Sequence, residues 1–215
     1  MTNSSTNTVL CIDDHPLYRK GIADLIDMDD SLELIGETAD GEQGLVLIKE
    51  MRPDIVLLDI DMKGMNGLET LKAIKAENID TRVVMLTVSD SEEDVITAIR
   101  NGADGYLLKD MEPEAMLDEF HNSLQGKIVI SSSLTQLIAL ALRADDDTPN
   151  NIGAAGITER EQEIITHIAK GESNKVIAAD LNITESTVKV HVKNILKKLN
   201  LRSRVEVAVW ALKNT

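Results

Sequence analysis

Asp13 and Asp14 stand side by side at the end of the apolar run "TVLCI" (8–12). Two adjacent like charges at the edge of a buried strand repel, and burial raises their pKa values. A third carboxylate, Asp59, lies in the apolar run "DIVLLDI" (54–60). Thr87 lies in "RVVMLTV" (82–88), and Lys109 follows "GYLL" (105–108). Each has a bland reading taken singly. The acidic pair could form a solvated turn before a helix, because Asp caps helices and Pro16 suits a first turn. Asp59 could be a turn residue, Thr87 a strand end and Lys109 a solvated charge. Taken together, three carboxylates need a cation, and oxygen-only ligands without Cys or His suit a hard ion such as Mg²⁺. A hydroxyl and an ammonium beside that ion would face an anion, and a phosphoryl group fits. A carboxylate can be the nucleophile that takes it up. Asp59 is the candidate, because it ends the central strand. His15, next to the pair, reads as a helix-start residue rather than a ligand.

These residues converge only if the chain folds so that the strand ends meet. Apolar runs rich in β-branched residues occur at 8–12, 32–37, 54–60, 82–88 and 105–108. Helix-period segments separate them near 16–28, 41–51, 66–77, 91–101 and 112–124. Continuous apolar runs mean strands covered on both faces, hence a parallel sheet. Five β-α repeats predict an α/β, five-stranded, doubly wound fold, in which sites form at the carboxyl ends of the strands.

Composition sets the surroundings. The chain has 215 residues, 43% hydrophobic and 27% charged, with only 2% aromatic, so its core must be aliphatic. No apolar run approaches the roughly 20 residues that span a bilayer. The start "MTNSSTNT" has neither a basic nor an apolar segment of a secretory signal. The lone Cys11, inside the first strand, reads as a buried thiol. A cytoplasmic protein without membrane insertion is expected. Residues 1–149 carry 12 basic and 30 acidic side chains, whereas residues 150–215 carry 10 and 7. That asymmetry predicts two domains with different partners.

The second domain reads as all helical. "SSSLTQLIALALR" (131–143) is an apolar connecting helix, and "ADDDTPNNIGAAG" (144–156) has the composition of a flexible linker. Thr158 with Glu161 forms a capping box, Gly171 stops that helix, and Ser203 with Glu206 opens a last one. Between them "SNKVIAADL" (173–181) and "TESTVKVHVKNILKKL" (184–199) are separated by a tight turn, the helix-turn-helix spacing. The domains are therefore placed at 1–128, 129–156 (connecting helix and linker) and 157–215. On the helix 186–199, Val188, Val192, Ile195 and Leu199 form one stripe. Ser186, Lys189, Val190, Lys193 and Lys197 gather opposite. A charged helix face is often merely solvated. From Thr184 to Arg204, however, there are six basic residues and one acidic in a chain of net charge −15. Val190 among lysines suits a thymine methyl, while lysines reach guanine edges or phosphates.

The first 125 residues or so resemble a bacterial response-regulator receiver domain, through "IDDHP", "LLDIDMKGMNG", "LTVSD" and "GADGYLLKD". The resemblance implies that Asp14, Asp59 and the backbone carbonyl of Asp61 hold Mg²⁺, with Asp13 acting through a metal-bound water. It makes Asp59 the phosphoacceptor of a sensor histidine kinase, and Tyr106 the switch aromatic that moves with Thr87. Lys63 and Asp110 depart from the family pattern, since many members have Pro at both places. The tail, "ITEREQEIITHIAKGESNKVIAADLNITESTVKVHVKNILKKLNLRSR", resembles the DNA-binding domain of NarL/FixJ (LuxR-type) regulators. "GADGYLLKDMEPE" and "SRVEVAVW" are most similar to the nitrate/nitrite branch of that family. By this resemblance Lys189, Val190 and Lys193 read bases, and Lys175 and Lys197 hold phosphates of double-stranded DNA.

The last helix is apolar nearly all round. Val205, Ala208, Val209 and Leu212 would face the domain core. Val207, Trp210 and Ala211 would form the contact of a homodimer assembled on phosphorylation. A transcription regulator rather than an enzyme is expected. A haloacid-dehalogenase-type phosphotransferase would need an acid two residues after a strand-1 nucleophile, where this chain has adjacent acids and then His15. A receiver that senses a ligand without phosphorylation would not need Asp59, Thr87 and Lys109 together. The charge map adds one expectation: the acidic receiver, joined by a flexible linker that keeps the local concentration high, masks the basic recognition helix until phosphorylation.

Overall fold

Val9, Leu10, Cys11 and Ile12 are all fully buried, yet they do not share a core. Successive side chains of a strand point to opposite faces. Leu10 and Ile12 pack with Val56, Leu58, Val83 and Met85 on one side of a sheet. Val9 and Cys11 pack with Ile55, Leu57, Val84 and Leu86 on the other. Helices cover both faces, which is why these strands are continuously apolar in sequence.

The structure is a computed structural model and describes residues 6–77, 79–88, 91–130 and 156–214. Its strands are β1 (Asn7–Ile12), β2 (Leu32–Thr38), β3 (Ile55–Asp59), β4 (Arg82–Thr87), β5 (Gly105–Leu108) and β6 (Val129–Ile130). They form one sheet in the order β2-β1-β3-β4-β5-β6, with every pairing parallel. The helices between them are α1 (Pro16–Ile26), α2 (Gly41–Met51), α3 (Gly67–Ala76), α4 (Glu92–Arg100) and α5 (Pro113–Leu124). Strand order reverses between β1 and β3, which opens the crevice where such sheets bind ligands.

The five expected strands are present, and β6 extends the sheet past residue 128. Two residues are too few to carry a sequence period, so β6 leaves no such signal. The expected connecting helix 131–143 and all but the last residue of the linker 144–156 lie outside the described residues.

The C-terminal part contains α6 (Glu159–Ala169), α7 (Asn174–Asp180), α8 (Glu185–Leu199) and α9 (Arg204–Lys213). Both expected capping boxes form, Thr158 with Glu161 and Ser203 with Glu206. Ile164, Ile165, Ile168, Ile177, Val188, Ile195, Leu199 and Trp210 close a core of their own.

The faces of α9 are partly exchanged relative to expectation: Ala208 lies in the core as expected, but Val205 and Val209 trade places with Val207, Trp210 and Ala211. Val207, Ala208, Trp210 and Ala211 are buried in the helical core. Val207, Trp210 and Ala211 therefore cannot offer a dimer contact while this domain is folded. The physical reason is volume: Trp210 fills a small core that otherwise has only aliphatic side chains. Val205 and Val209 instead pack with Ala98, Ile99 and Ala103 of the receiver. The seam between the domains continues where Asn174 N donates to the Gln125 carbonyl at 3.0 Å. Gly102, at φ +99°, is part of it: a Cβ there would lie 3.1 Å from Arg202 Cβ.

Candidate functional site

β1 and β3 are neighbours, so Asp13, one residue beyond β1, and Asp59, the last of β3, emerge on the same sheet edge. Both are buried, at 0% and 1% exposure. Lys109, one residue beyond β5, reaches across β4 to both. Its Nζ lies 2.7 Å from Asp13 Oδ2 and 2.9 Å from Asp59 Oδ1. The Lys109 N–H donates to the Thr87 carbonyl at 2.7 Å, which fixes the chain at the end of β4. The ammonium also sits 4.7 Å above the Tyr18 ring, a cation–π contact that shields it from water.

Thr87 ends β4 and is buried. Tyr106, paired with Met85, is fully buried against the α3–α4 side of the sheet. Asp14 flanks the pocket and is less buried than Asp13. The Asp61 N–H donates to the Asp59 carboxylate, so the chain after β3 curls back over the pocket and keeps Asp61 beside it.

Electrostatics follow from this packing. Burial pushes the Asp59 carboxyl above the usual carboxylate range, the Lys109 ammonium pulls it down, and Asp13 raises it again. Burial, then Asp13, pushes the Cys11 thiol up to about 12, so Cys11 is a protonated core residue, as expected. Asp59 Oδ2 is buried without a hydrogen-bond donor. A buried carboxylate oxygen left so is costly unless a cation or a reacting group meets it. Asp13, Asp14, His15 and Asp59 each offer a ligand atom within 4.8 Å of the others. The pocket's donor set thus fits a divalent cation.

Four supporting residues escape a reading by residue type. His15 begins α1, as expected, but its side chain makes no cap. Its Nδ1 instead lies 2.9 Å from Asp14 Oδ1. Arg19, one turn further on, donates from Nη1 to the Asp13 carbonyl. Tyr18 lies under Lys109. Gly67 starts α3 so near to β3 that a Cβ there would lie 2.0 Å from the Asp59 carbonyl oxygen. The glycine in "GMNG" was the available signal for that close approach.

The second candidate site is the face of α8. Ser173 caps α7, a turn at Leu181–Ile183 follows, and Thr184 caps α8. Asn182, at φ +53°, supplies the left-handed residue of that turn. Val188, Ile195 and Leu199 are buried, and Val192 is half-buried, so the expected stripe faces the core. Lys189, Val190, Lys193 and Lys197 are exposed together, with Val190 at 59%. Lys175, on α7, is exposed as well. The receiver leaves these side chains uncovered, so direct cover over Lys189 and Lys193 is corrected: the surface it covers is on α9. Charge predicts attraction of α8 to an acidic surface, but apolar burial of Val205 and Val209 decides the seam.

Not every lysine of α8 is available. Lys198 Nζ lies 2.6 Å from Glu161 Oε2 and 3.0 Å from the Gly156 carbonyl, tying α8 to the start of α6. Arg204 is buried and donates to Asn174 Oδ1 and the Glu172 carbonyl, tying α9 to the start of α7. Arg160 donates to the Leu181 carbonyl and so holds the helix-turn-helix turn.

Comparison with known proteins places the two sites in one architecture. Residues 9–121 match the response regulator receiver domain, and residues 155–211 match the luxR family of bacterial regulatory proteins. The nitrate/nitrite response regulator protein NarL of Escherichia coli is 50% identical over 210 residues, covering 98% of this chain and 97% of that protein. NarP of the same organism is 39% identical over 213 residues, covering 99% and 97%. A solved LuxR-family response regulator from Aurantimonas sp. superposes with a TM-score of 0.60 at 28% identity, covering 66% of this chain and all of that one. An acid pocket at the strand ends of one domain and a basic helix-turn-helix in the other thus mark this chain as a member of the LuxR-type (NarL/FixJ) response regulators.

Proposed function

We propose that this chain is a cytoplasmic transcription regulator of nitrate/nitrite respiration, switched by phosphorylation of Asp59 by a sensor histidine kinase. The observation that carries the reading is the state of Asp59. One oxygen is held by Lys109 at 2.9 Å, and the other is buried without a donor. The Asp59 carboxylate is the natural nucleophile. It attacks the phosphorus of a phosphohistidine, a P–O bond forms, the P–N bond breaks, and the imidazole nitrogen takes a proton from solvent. Lys109 then turns from the two carboxylates to the new phosphoryl oxygens. Asp13, Asp14, Asp59 and the Asp61 carbonyl would hold Mg²⁺, which neutralises charge between the acids and the phosphoryl group when bound. The nitrate/nitrite assignment is supported by the names of NarL and NarP.

The output follows from the division of the chain into a receiver, extended by β6 to residue 130, and a helical domain from about 157 to 215. Phosphorylation draws Thr87 toward the phosphoryl group, and Tyr106 follows in the α4–β5 region. That region carries Ala98, Ile99 and Ala103, against which Val205 and Val209 of α9 pack. The seam therefore loosens, and α9 becomes free to pair with a second copy as the chain binds double-stranded DNA. Lys189, Val190 and Lys193 read base edges, while Lys175 and Lys197 hold phosphates.

The test is Asp59→Asn, which keeps the shape and removes the nucleophile. Intact-mass measurement after acetyl phosphate and Mg²⁺ should show a phosphorylated wild type and an unlabelled variant, and only the wild type should gain DNA affinity. Full labelling of the variant would refute Asp59 as the acceptor.

A further inference from the structure

The oxygens of the acid pocket divide into two sets. Lys109 Nζ takes Asp13 Oδ2 and Asp59 Oδ1. His15 Nδ1 faces the opposite set: Asp14 Oδ1 at 2.9 Å, Asp13 Oδ1 at 3.3 Å and Asp59 Oδ2 at 3.6 Å. An octahedral ion with bonds of about 2.1 Å spaces neighbouring donors about 3 Å apart and opposite donors about 4.2 Å apart. Nδ1 therefore stands near neighbouring-donor spacing from Asp14 Oδ1 and Asp13 Oδ1, with Asp59 Oδ2 between the neighbouring and opposite values. All four donor atoms fall within 4.8 Å of one another. Asp59 Oδ2, on a residue 1% exposed, is buried in this cluster without a hydrogen-bond donor.

The backbone holds His15 for that purpose. Its N–H donates to Asp13 Oδ1 at 2.8 Å, and Pro16 fixes the start of α1 immediately after it. The side chain does not cap the helix. It is 63% exposed on its outer side, so water and ions reach the ring while Nδ1 points inward.

We propose that His15 Nδ1 is a nitrogen ligand of the pocket cation and sets its specificity toward first-row transition ions such as Mn²⁺. The inference rests on the carboxylate site of the proposed function and adds a donor to it. Oxygen donors alone suit Mg²⁺, whereas imidazole nitrogen gains far more from a transition ion than from Mg²⁺. A receiver so equipped takes Mn²⁺ in preference to Mg²⁺ at equal free concentration.

Mn²⁺ binding to the full chain can be followed by the paramagnetic resonance signal of the free ion, and Mg²⁺ binding by competition. Pulsed measurements report directly whether a ¹⁴N nucleus is bonded to the Mn²⁺. Wild type should bind Mn²⁺ more tightly than Mg²⁺ and show ¹⁴N modulation. His15→Ala and His15→Asn should each lose the modulation and most of the preference for Mn²⁺, while Mg²⁺ affinity changes much less than Mn²⁺ affinity. Circular dichroism should be unchanged, as an outward-lying residue allows. Modulation that persists in both variants, or equal losses for the two ions, would overturn the role of His15 and leave the carboxylate site standing. Mn²⁺ binding that survives in Asp14→Ala and Asp59→Asn would place the ion elsewhere and overturn the site and the inference together.

Discussion

The acid pocket and the basic face of α8 both concentrate charge, but they hold it in opposite ways. Asp13 and Asp59 are buried, the Lys109 side chain is only 6% exposed, and the three are ion-paired and assembled from the ends of three strands. Lys189, Lys193 and Lys197 are exposed and come from one helix. Burial makes each charge of the pocket costly, so each must be matched at short range, and the loss of one leaves another unpaired. Exposure makes each lysine of α8 cheap to hold and nearly independent of its neighbours. The pocket therefore behaves as one chemical unit with a sharp threshold. The helix face behaves as a set of graded contacts whose strength depends on salt.

That contrast can be broken most forcefully in the pocket. Asp14→Ala removes a partly exposed carboxylate, so the fold should survive. Mg²⁺ affinity should fall about tenfold or more, equivalent to about 1.4 kcal/mol or more, and phosphorylation by acetyl phosphate should slow in parallel. A Mg²⁺ titration read from a receiver probe measures this; Trp210 cannot report it, because it lies in the helical core. Wild-type affinity in the variant would remove Asp14 from the ligand set.

The helix face should give graded and separable effects. Lys193→Ala should cost about 1–3 kcal/mol and relax base preference, whereas Lys197→Ala should weaken all DNA sequences alike and reduce the salt slope by about one. Binding to matched and scrambled duplexes at several salt concentrations distinguishes them. Sequence-independent losses for both would leave Lys193 as a phosphate contact only. Lys198→Ala sharpens the comparison, since Lys198 is paired with Glu161 rather than presented to DNA. It should lower the unfolding midpoint of the helical domain and leave the salt slope of DNA binding unchanged.

The smallest effect is expected at an ion pair between these extremes. Asp29, half-buried, accepts from the Ser31 hydroxyl at 2.6 Å, meets His121 Nε2 at 2.6 Å and accepts from Ser31 N at 2.9 Å. The Ser31 hydroxyl, then His121, holds its carboxyl down at about 2. A pKa lowered by folding contributes stability above the ordinary value of 3.8 and loses it as pH falls toward about 2. Asp29→Asn should therefore cost about 1 kcal/mol in urea unfolding near neutral pH. The gap from wild type should narrow between about pH 4 and pH 2. A gap independent of pH would mean that the carboxylate charge is not what stabilises this corner.

What the sequence makes legible divides along the same line. β3 and α8 are readable because each is a local pattern: a continuous apolar run, and a stripe at helical spacing opposite a lysine face. The meeting of Asp13, Asp59 and Lys109 is readable because parallel strands put their carboxyl ends on one edge. The inward turn of His15 Nδ1 was not, since a residue at a helix start has no periodic partner to reveal its direction. The partial exchange of faces on α9 was hidden for a different reason. Val205, Val207, Val209 and Trp210 are apolar all round the helix, so hydropathy cannot rank one face above another. Only the volume of the small core, and the presence of Ala98 and Ile99 on the receiver, decide it.

The claim that joins the two regions is that the receiver restrains DNA binding through α9 and that phosphate on Asp59 lifts the restraint. The most direct measurement titrates one target duplex, at one salt concentration, with three species. These are the unphosphorylated full chain, the chain phosphorylated on Asp59, and the isolated tail from about Asn151 to Thr215, whose helices close their own core. The tail and the phosphorylated chain should both bind more tightly than the silent chain, and the tail should need no phosphate. A tail that binds no better than the silent full chain would contradict restraint through α9 and leave phosphorylation to act by bringing two receivers together.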